Sequence, residues 1–255
     1  MGKFDGVLGL AFNIISKNPS AKIILPNLKE QNVLDKAMFA FFLGDNTNGI
    51  GGEMAIGGYN EERIQNKKEI KWIDLISPAY WLVPMNQVKY GNDLISIGTM
   101  AGIMDTGTSL IYGPATVVSP LALSLGAQFV PSAGLFLVDC NATILDLEFT
   151  LGGDKVVKIP GSKLKMRDDS GKYCLFGIAI MQFADEEEDV TVRTGGGYRY
   201  HIGSGTPTLP IPTEYHGKTW LMGDWFLRMF YSIYDYDNER FGIADLRDDN
   251  HNNTE

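Results

Sequence analysis

Cysteine and histidine are scarce in this chain, which has only Cys140 and Cys174 of the one and His201, His216 and His251 of the other. Two cysteines are too few for a zinc cage, and they lack the C-x-x-C redox spacing. The histidines form no H-E-x-x-H or comparable ligand spacing. No metal centre and no cofactor are therefore expected. Also missing are the G-x-S-x-G elbow of a serine hydrolase, the P-loop and the G-x-G-x-x-G fingerprint. Apolar runs stay far below the 18 or more residues of a membrane span, and the N-terminus does not read as a signal peptide. Basic residues are in deficit, 22 against 31 acidic, for a net charge of −9. That balance disfavours a nucleic-acid or anionic-membrane partner. Five of the negatives form one run, Asp185–Asp189, leaving −4 for the remainder, so the acidity is partly local and the run reads as a solvated loop.

What is plentiful is carboxylate, glycine and short apolar segments. At 255 residues, 44% of them hydrophobic, the chain can bury a sizeable core as one large domain or two small ones. Its 29 glycines favour turns over long helices. Strand patterns recur at Phe4–Phe12, Ala37–Leu43, Glu53–Ile56, Ile70–Ile73, Tyr80–Val83, Asn86–Tyr90, Leu94–Ile97, Leu145–Leu151 and Val156–Ile159. A short helix is expected at Pro26–Asn32. A second should start at Pro114, end at Gly126, and be kinked or split by Pro120. Trp220–Phe230 reads as a strand, a glycine and a helix capped by Asp224. Tyr231–Tyr234 and Arg240–Ala244 form a closing hairpin. Residues 185–219 read as a surface insertion and the tail from Arg247 as frayed. The fold class is all-β, mainly antiparallel, with a few short helices.

The segment that carries chemistry is Ile103-Met104-Asp105-Thr106-Gly107-Thr108-Ser109. It ends an apolar strand in a carboxylate, followed by a small hydroxyl residue and a glycine. Gly107 permits close backbone approach, and Thr106 and Thr108 offer donors to steady a charge in a dry cleft. A bare Asp-Thr-Gly is equally well a strand-ending turn.

Context decides between those readings. Phe4-Asp-Gly-Val-Leu-Gly-Leu-Ala-Phe12, Met104-Asp-Thr-Gly-Thr-Ser-Leu-Ile-Tyr-Gly-Pro114, Trp220-Leu-Met-Gly-Asp-Trp-Phe-Leu-Arg228 and Tyr234-Asp-Tyr-Asp-Asn-Glu-Arg-Phe-Gly-Ile-Ala244 occur in one order along Phe4–Leu246. In order and spacing they resemble the pepsin-like aspartic proteases. The resemblance implies a pepsin-like acid protease fold, here the C-terminal lobe plus the inter-lobe sheet. It implies an endopeptidase that hydrolyses peptide or protein substrates at acidic pH through an aspartate-activated water. Asp105 corresponds to the catalytic carboxylate of the second lobe, with Thr106, Gly107 and Thr108 as its loop partners. Tyr80 and Ile103 match substrate-contacting positions, with Ile111 and Tyr112 as further candidates. Cys140 and Cys174 fall where the family has a second-lobe disulfide.

The departures matter as much. The family uses one aspartate from each lobe, and this chain holds a single Asp-Thr-Gly. The first-lobe flap, which should precede the Phe4 segment, is missing, and Ile97-Gly-Thr-Met-Ala-Gly102 replaces a small cysteine loop. Residues 1–70 are accordingly read as a remnant of the N-terminal lobe with the inter-lobe sheet, 71–246 as the C-terminal lobe and 247–255 as a polar tail. The missing N-terminal lobe becomes an expected partner, and the isolated chain is expected to be inactive. Two alternatives stay open: a non-catalytic pepsin-like binding module, and a homodimer in which two Asp105 residues meet. The resemblance and the disulfide imply a secretory, vacuolar, lysosome-like or extracellular location. In that setting Asn141-Ala-Thr143 and Asn252-Asn-Thr254 would be surface glycosylation sequons.

Overall fold

The fold is known from a computed structural model that describes residues 5–18, 20–44, 51–167, 173–181, 190–193, 199–202 and 211–247. Its strands are β1 (Met38–Leu43), β2 (Gly52–Ile56), β3 (Lys71–Asp74), β4 (Leu82–Tyr90), β5 (Asp93–Met104), β6 (Ile111–Gly113), β7 (Gln128–Val130), β8 (Leu135–Asp139) and β9 (Leu147–Leu151). They continue as β10 (Lys155–Ile159), β11 (Lys165–Arg167), β12 (Tyr173–Phe176), β13 (Ile178–Ile180), β14 (Val190–Arg193), β15 (Arg199–Ile202), β16 (Thr219–Met222), β17 (Tyr231–Asp235) and β18 (Arg240–Ala244). Among the described residues three α-helices are interspersed, α1 (Ile24–Glu30), α2 (Ala115–Ser124) and α3 (Asp224–Leu227). The all-β class read from the sequence is the class observed.

A five-stranded sheet in the order β2-β1-β17-β18-β3 joins the beginning of the chain to its end. Its strands come from both sides of residue 70. The β17–β18 turn is built on Asp235, a fully buried carboxylate that accepts from Asn238 N (3.2 Å), Asn238 Nδ2 (2.7 Å) and Arg240 Nε (2.8 Å). Such a charge survives burial only because each oxygen is paired. The Arg240 guanidinium also lies over the Trp72 ring at 4.0 Å, tying the hairpin to β3. On the inner face Phe39 stacks on Tyr234 at 4.4 Å, with Trp81 edge-on to Tyr234 at 5.1 Å. These pairs weld the sheet to the body of the molecule.

The seven-stranded sheet, β10-β9-β4-β5-β16-β6-β13, carries the Asp105 loop. Next to that loop, Met100–Met104 of β5 and Trp220–Met222 of β16 are apolar and buried without a break, because both faces are covered there. Trp81, Val83, Met104, Ile111, Trp220 and Met222 enter the main core. Their neighbours Leu82, Ile103, Tyr112 and Leu221 enter a second, smaller cluster on the opposite face. A four-stranded sheet, β11-β12-β8-β7, and the hairpin β14–β15 complete the architecture.

Several expectations are corrected. Phe4–Phe12 is not a strand: residues 5–10 have no ladder partner among the described residues, and Val7 is 72% exposed. Leu10 is held instead through its carbonyl, which accepts from Trp81 Nε1 (2.8 Å) and Tyr236 Oη (2.6 Å). Tyr80–Val83 and Asn86–Tyr90 are not separate; Leu82 and Val83 of the first and all of the second lie in β4, whose register shifts between Met85 and Gln87. Pro120 does not split α2; it and Thr116, whose carbonyl loses its helical donor, are both exposed, where water can replace that donor. Asp224 does not cap α3; Gly223 occupies that position and Asp224 is the first helical residue. The 185–219 excursion is too long at its C-terminal end, since Ile211 and Thr219 are buried. The acidic run 185–189 and the tail beyond Arg247 lie outside the described residues.

Cys140 and Cys174 are joined across the β8–β12 pair, with Cα atoms 5.0 Å apart and a sequence separation of 34. Labelling of the denatured, unreduced chain should find no free thiol. By loop entropy, replacing both cysteines with serine should lower stability by about 3.8 kcal/mol, read from denaturant midpoints.

Candidate active site

Strand β16 threads between β5 and β6. It runs parallel to β5, pairing Thr219–Met222 with Ala101–Met104, and antiparallel to β6, pairing Leu221 with Tyr112 and Met222 with Ile111. The chain leaving β5 must therefore cross over β16 before it can form β6, and residues 105–110 make that crossing. The backbone N–H of Asp105 donates to Met222 O (3.1 Å), while Met104 N donates to Trp81 O (3.0 Å). On the far side Asp224 N donates to Thr108 O (2.8 Å) and Trp225 N to Ser109 O (3.1 Å).

Gly223 lies where the two segments touch. A Cβ there would stand 2.4 Å from both the Thr108 and the Leu110 carbonyl oxygens. Its φ of −87° is open to any residue, so the requirement for glycine is one of space alone. Gly223→Ala should cost about 3 kcal/mol and broaden the thermal transition, because backbone on two sides cannot yield. Near-normal stability in that variant would refute the tight crossing.

The crossing loop fixes the Asp105 carboxylate. Gly107 N–H donates to Oδ1 (2.9 Å) and Thr108 Oγ1 to Oδ2 (2.5 Å), while Thr108 N closes the turn on Asp105 O (3.2 Å). Each oxygen thus has one internal donor, leaving lone pairs on both for an outside group. Thr108 is buried and Asp105 half-buried, so the carboxylate sits at the surface of the core on a rigid support. Thr106 is half-buried beside it.

The sequence-expected contact residues divide. Tyr80 and Ile103 share the smaller apolar cluster with Leu82, Tyr112 and Leu221. Burial raises the Tyr80 phenol above its ordinary range, and the Asp105 charge adds to the rise. Ile111 is not brought there. Its side chain is fully buried in the main core, because successive residues of β6 face opposite sides of the sheet and Tyr112 takes the cluster side.

Sequence reading gave Asp224 only a capping role, yet it stands next to this site. Burial pushes its carboxyl up to about 6, Arg228 pulls it down, and the Asp105 charge adds to the rise. The folded value lies above the 3.8 of a free carboxyl, so the protonated form favours folding. That contribution is complete below about pH 3.8 and is lost as pH rises through about 6. Asp224→Asn should flatten the decline in folding stability across that window by on the order of 1 kcal/mol, solvent screening included, read from denaturant midpoints against pH. An unchanged slope would show that Asp224 does not titrate there. Its signal was the Leu-Met-Gly-Asp sequence, which places a carboxylate one residue beyond the crossing. Among the described residues no group of three or more potential ligands could hold a metal ion, and no helix is long and apolar enough to cross a membrane.

Comparison with known proteins gives one family model, described as "Eukaryotic aspartyl protease", over residues 1–246. Aspartic protease 1 of Toxoplasma gondii is 33% identical over 251 residues, which cover 96% of this chain and 39% of that protein. Cathepsin D of Canis lupus familiaris is 32% identical over 247 residues, covering 95% and 52% respectively. Vacuolar protease A of Aspergillus fumigatus is 30% identical over 256 residues, covering 95% and 53%. The chain spans about half the length of these relatives or less.

Proposed function

The chain belongs to the eukaryotic aspartyl protease family, and on that premise we propose that it carries one half of the catalytic centre of an acid-acting endopeptidase, with Asp105 as the second-lobe carboxylate. The observation that carries this reading is the anchoring of both Asp105 oxygens by Gly107 and Thr108 on a loop held by strand β16. A carboxylate so restrained loses little freedom when it meets a reacting group. In the reaction proposed, Asp105 faces a second aspartate supplied by an N-terminal lobe. The ionised member of the pair takes a proton from a water as that water attacks the peptide carbonyl. The protonated member donates to the carbonyl oxygen. Two close carboxyls share one proton, and this family's dyad is the type example of such coupled titration. An acidic working range follows, since one carboxyl must keep its proton.

Gly107 and Thr108 orient the carboxylate, and Thr106 is assigned to brace the loop against its counterpart across the lobe boundary. Tyr80 and Ile103 are assigned to line the substrate cleft; Ile111 supports the sheet from behind. Residues 1–70 are assigned to the rear of the first lobe with the inter-lobe sheet, and 71–246 to the second lobe. The five-stranded sheet, with strands from 38–56, 71–74 and 231–244, supports that placement. The disulfide, together with a vacuolar protease among the relatives, supports an oxidising secretory, vacuolar or lysosome-like compartment or the cell exterior.

In the full-length protein, Asp105→Asn should lower kcat for an acid-range peptide substrate by at least about a hundredfold, with KM little changed. Retained turnover would overturn the assignment. The 255-residue chain alone should be inactive between about pH 3 and 6 and gain activity when a separately made N-terminal lobe is added. Turnover by the chain alone, abolished by Asp105→Asn, would favour the homodimer instead.

A further inference from the structure

The sequon Asn141-Ala142-Thr143 follows β8 and lies outside the chemistry assigned to Asp105. Five residues here alternate in a telling way. Cys140 is buried, Asn141 exposed, Ala142 half-buried, Thr143 exposed and Ile144 buried. The backbone is what holds this segment down. Ala142 N donates to Asp139 O (2.9 Å), closing a β-turn with Asn141 as its third residue. Asn141 N donates to Asp139 Oδ1 (2.8 Å). Lys165 Nζ spans the turn from inside, donating to Cys140 O (2.7 Å) and Ala142 O (2.6 Å). The disulfide anchors the same turn one residue away. Among the described residues nothing bonds the Asn141 carboxamide, so a bulky hydrophilic substituent there would displace no core contact.

From this geometry we propose that Asn141 is an N-glycan acceptor of this protein. The two side chains that an oligosaccharyl transferase reads, the asparagine and the hydroxyl residue two places on, both point to solvent. A disulfide beside the sequon independently indicates an oxidising compartment, where such modification takes place. The co-reactant is a lipid-diphosphate-linked oligosaccharide. Asn141 Nδ2 forms the bond to the anomeric carbon of the first sugar and gives up one proton. The bond from that carbon to the diphosphate oxygen breaks, and the lipid diphosphate departs with the electron pair. The proposal rests on the compartment assigned above.

The test uses the chain expressed behind a secretory signal in a eukaryotic host, alongside the native full-length protein. Peptide N-glycosidase should increase gel mobility and convert residue 141 to aspartate, identified by peptide mass spectrometry. The modification at that site should be lost in Asn141→Gln and in Thr143→Ala, and retained in Thr143→Ser. An unmodified Asn141 in the secreted chain, or a glycan confined to Asn252, would overturn the site. A glycan at Asn141 in the signal-directed chain but absent from the native protein would overturn the proposal too, with the fault then lying in the compartment.

Discussion

The crossing of β16 beneath the Asp105 loop is the constraint on which the rest of the molecule depends. Two backbone segments pass within van der Waals distance at Gly223, and the carbonyls of Thr108 and Leu110 leave no room for a side chain. Because β16 hydrogen-bonds to β5 on one side and β6 on the other, the loop between those strands has nowhere to relax. The Asp105 backbone N–H is tied to β16 itself. A loop that would fray on an exposed surface is thereby made as rigid as the sheet.

Rigidity at the crossing requires the flanking strands to be buried on both faces. The seven-stranded sheet meets that need with two apolar clusters, a main core containing Met104, Trp220 and Met222 and a smaller one containing Ile103 and Leu221. Close packing extends to glycines where an aromatic ring takes the missing side chain's space. Trp220 covers Gly113, and Trp225 lies over Gly177. The five-stranded sheet, with strands from 38–56, 71–74 and 231–244, is then bound to this body through Phe39, Tyr234 and Trp81. Its own hairpin is closed by the fully paired Asp235.

The smaller cluster has a second consequence. Tyr80 and Ile103 lie on the face shared with Leu221, so apolar surface sits next to the carboxylate rather than behind it. Burial raises the Asp224 carboxyl, immediately beyond the crossing, to about 6. The electrostatics of the Asp105 region thus depend on the depth of the loop as well as on the charges around it.

What the sequence determined by itself was local. Alternation and turn residues made the chain all-β, because hydrophobic period and turn chemistry act between near neighbours. Asp105 and its loop were singled out only by the resemblance of four linked motifs to the pepsin-like proteases, since the bare Asp-Thr-Gly is equally well a turn. Only the tertiary structure decided the rest. Phe4–Phe12 has a strand's composition, but its residues from 5 on find no partner edge among the described residues, and a strand exists only when paired. Ile111 and Tyr112 are adjacent and both apolar, and which faces the carboxylate depended on how β6 lay against β16. Asp224 looked like a helix cap, and its raised carboxyl follows from the depth at which β16 emerges. Register, burial and crossing are set by residues far apart in sequence, where no local pattern reaches.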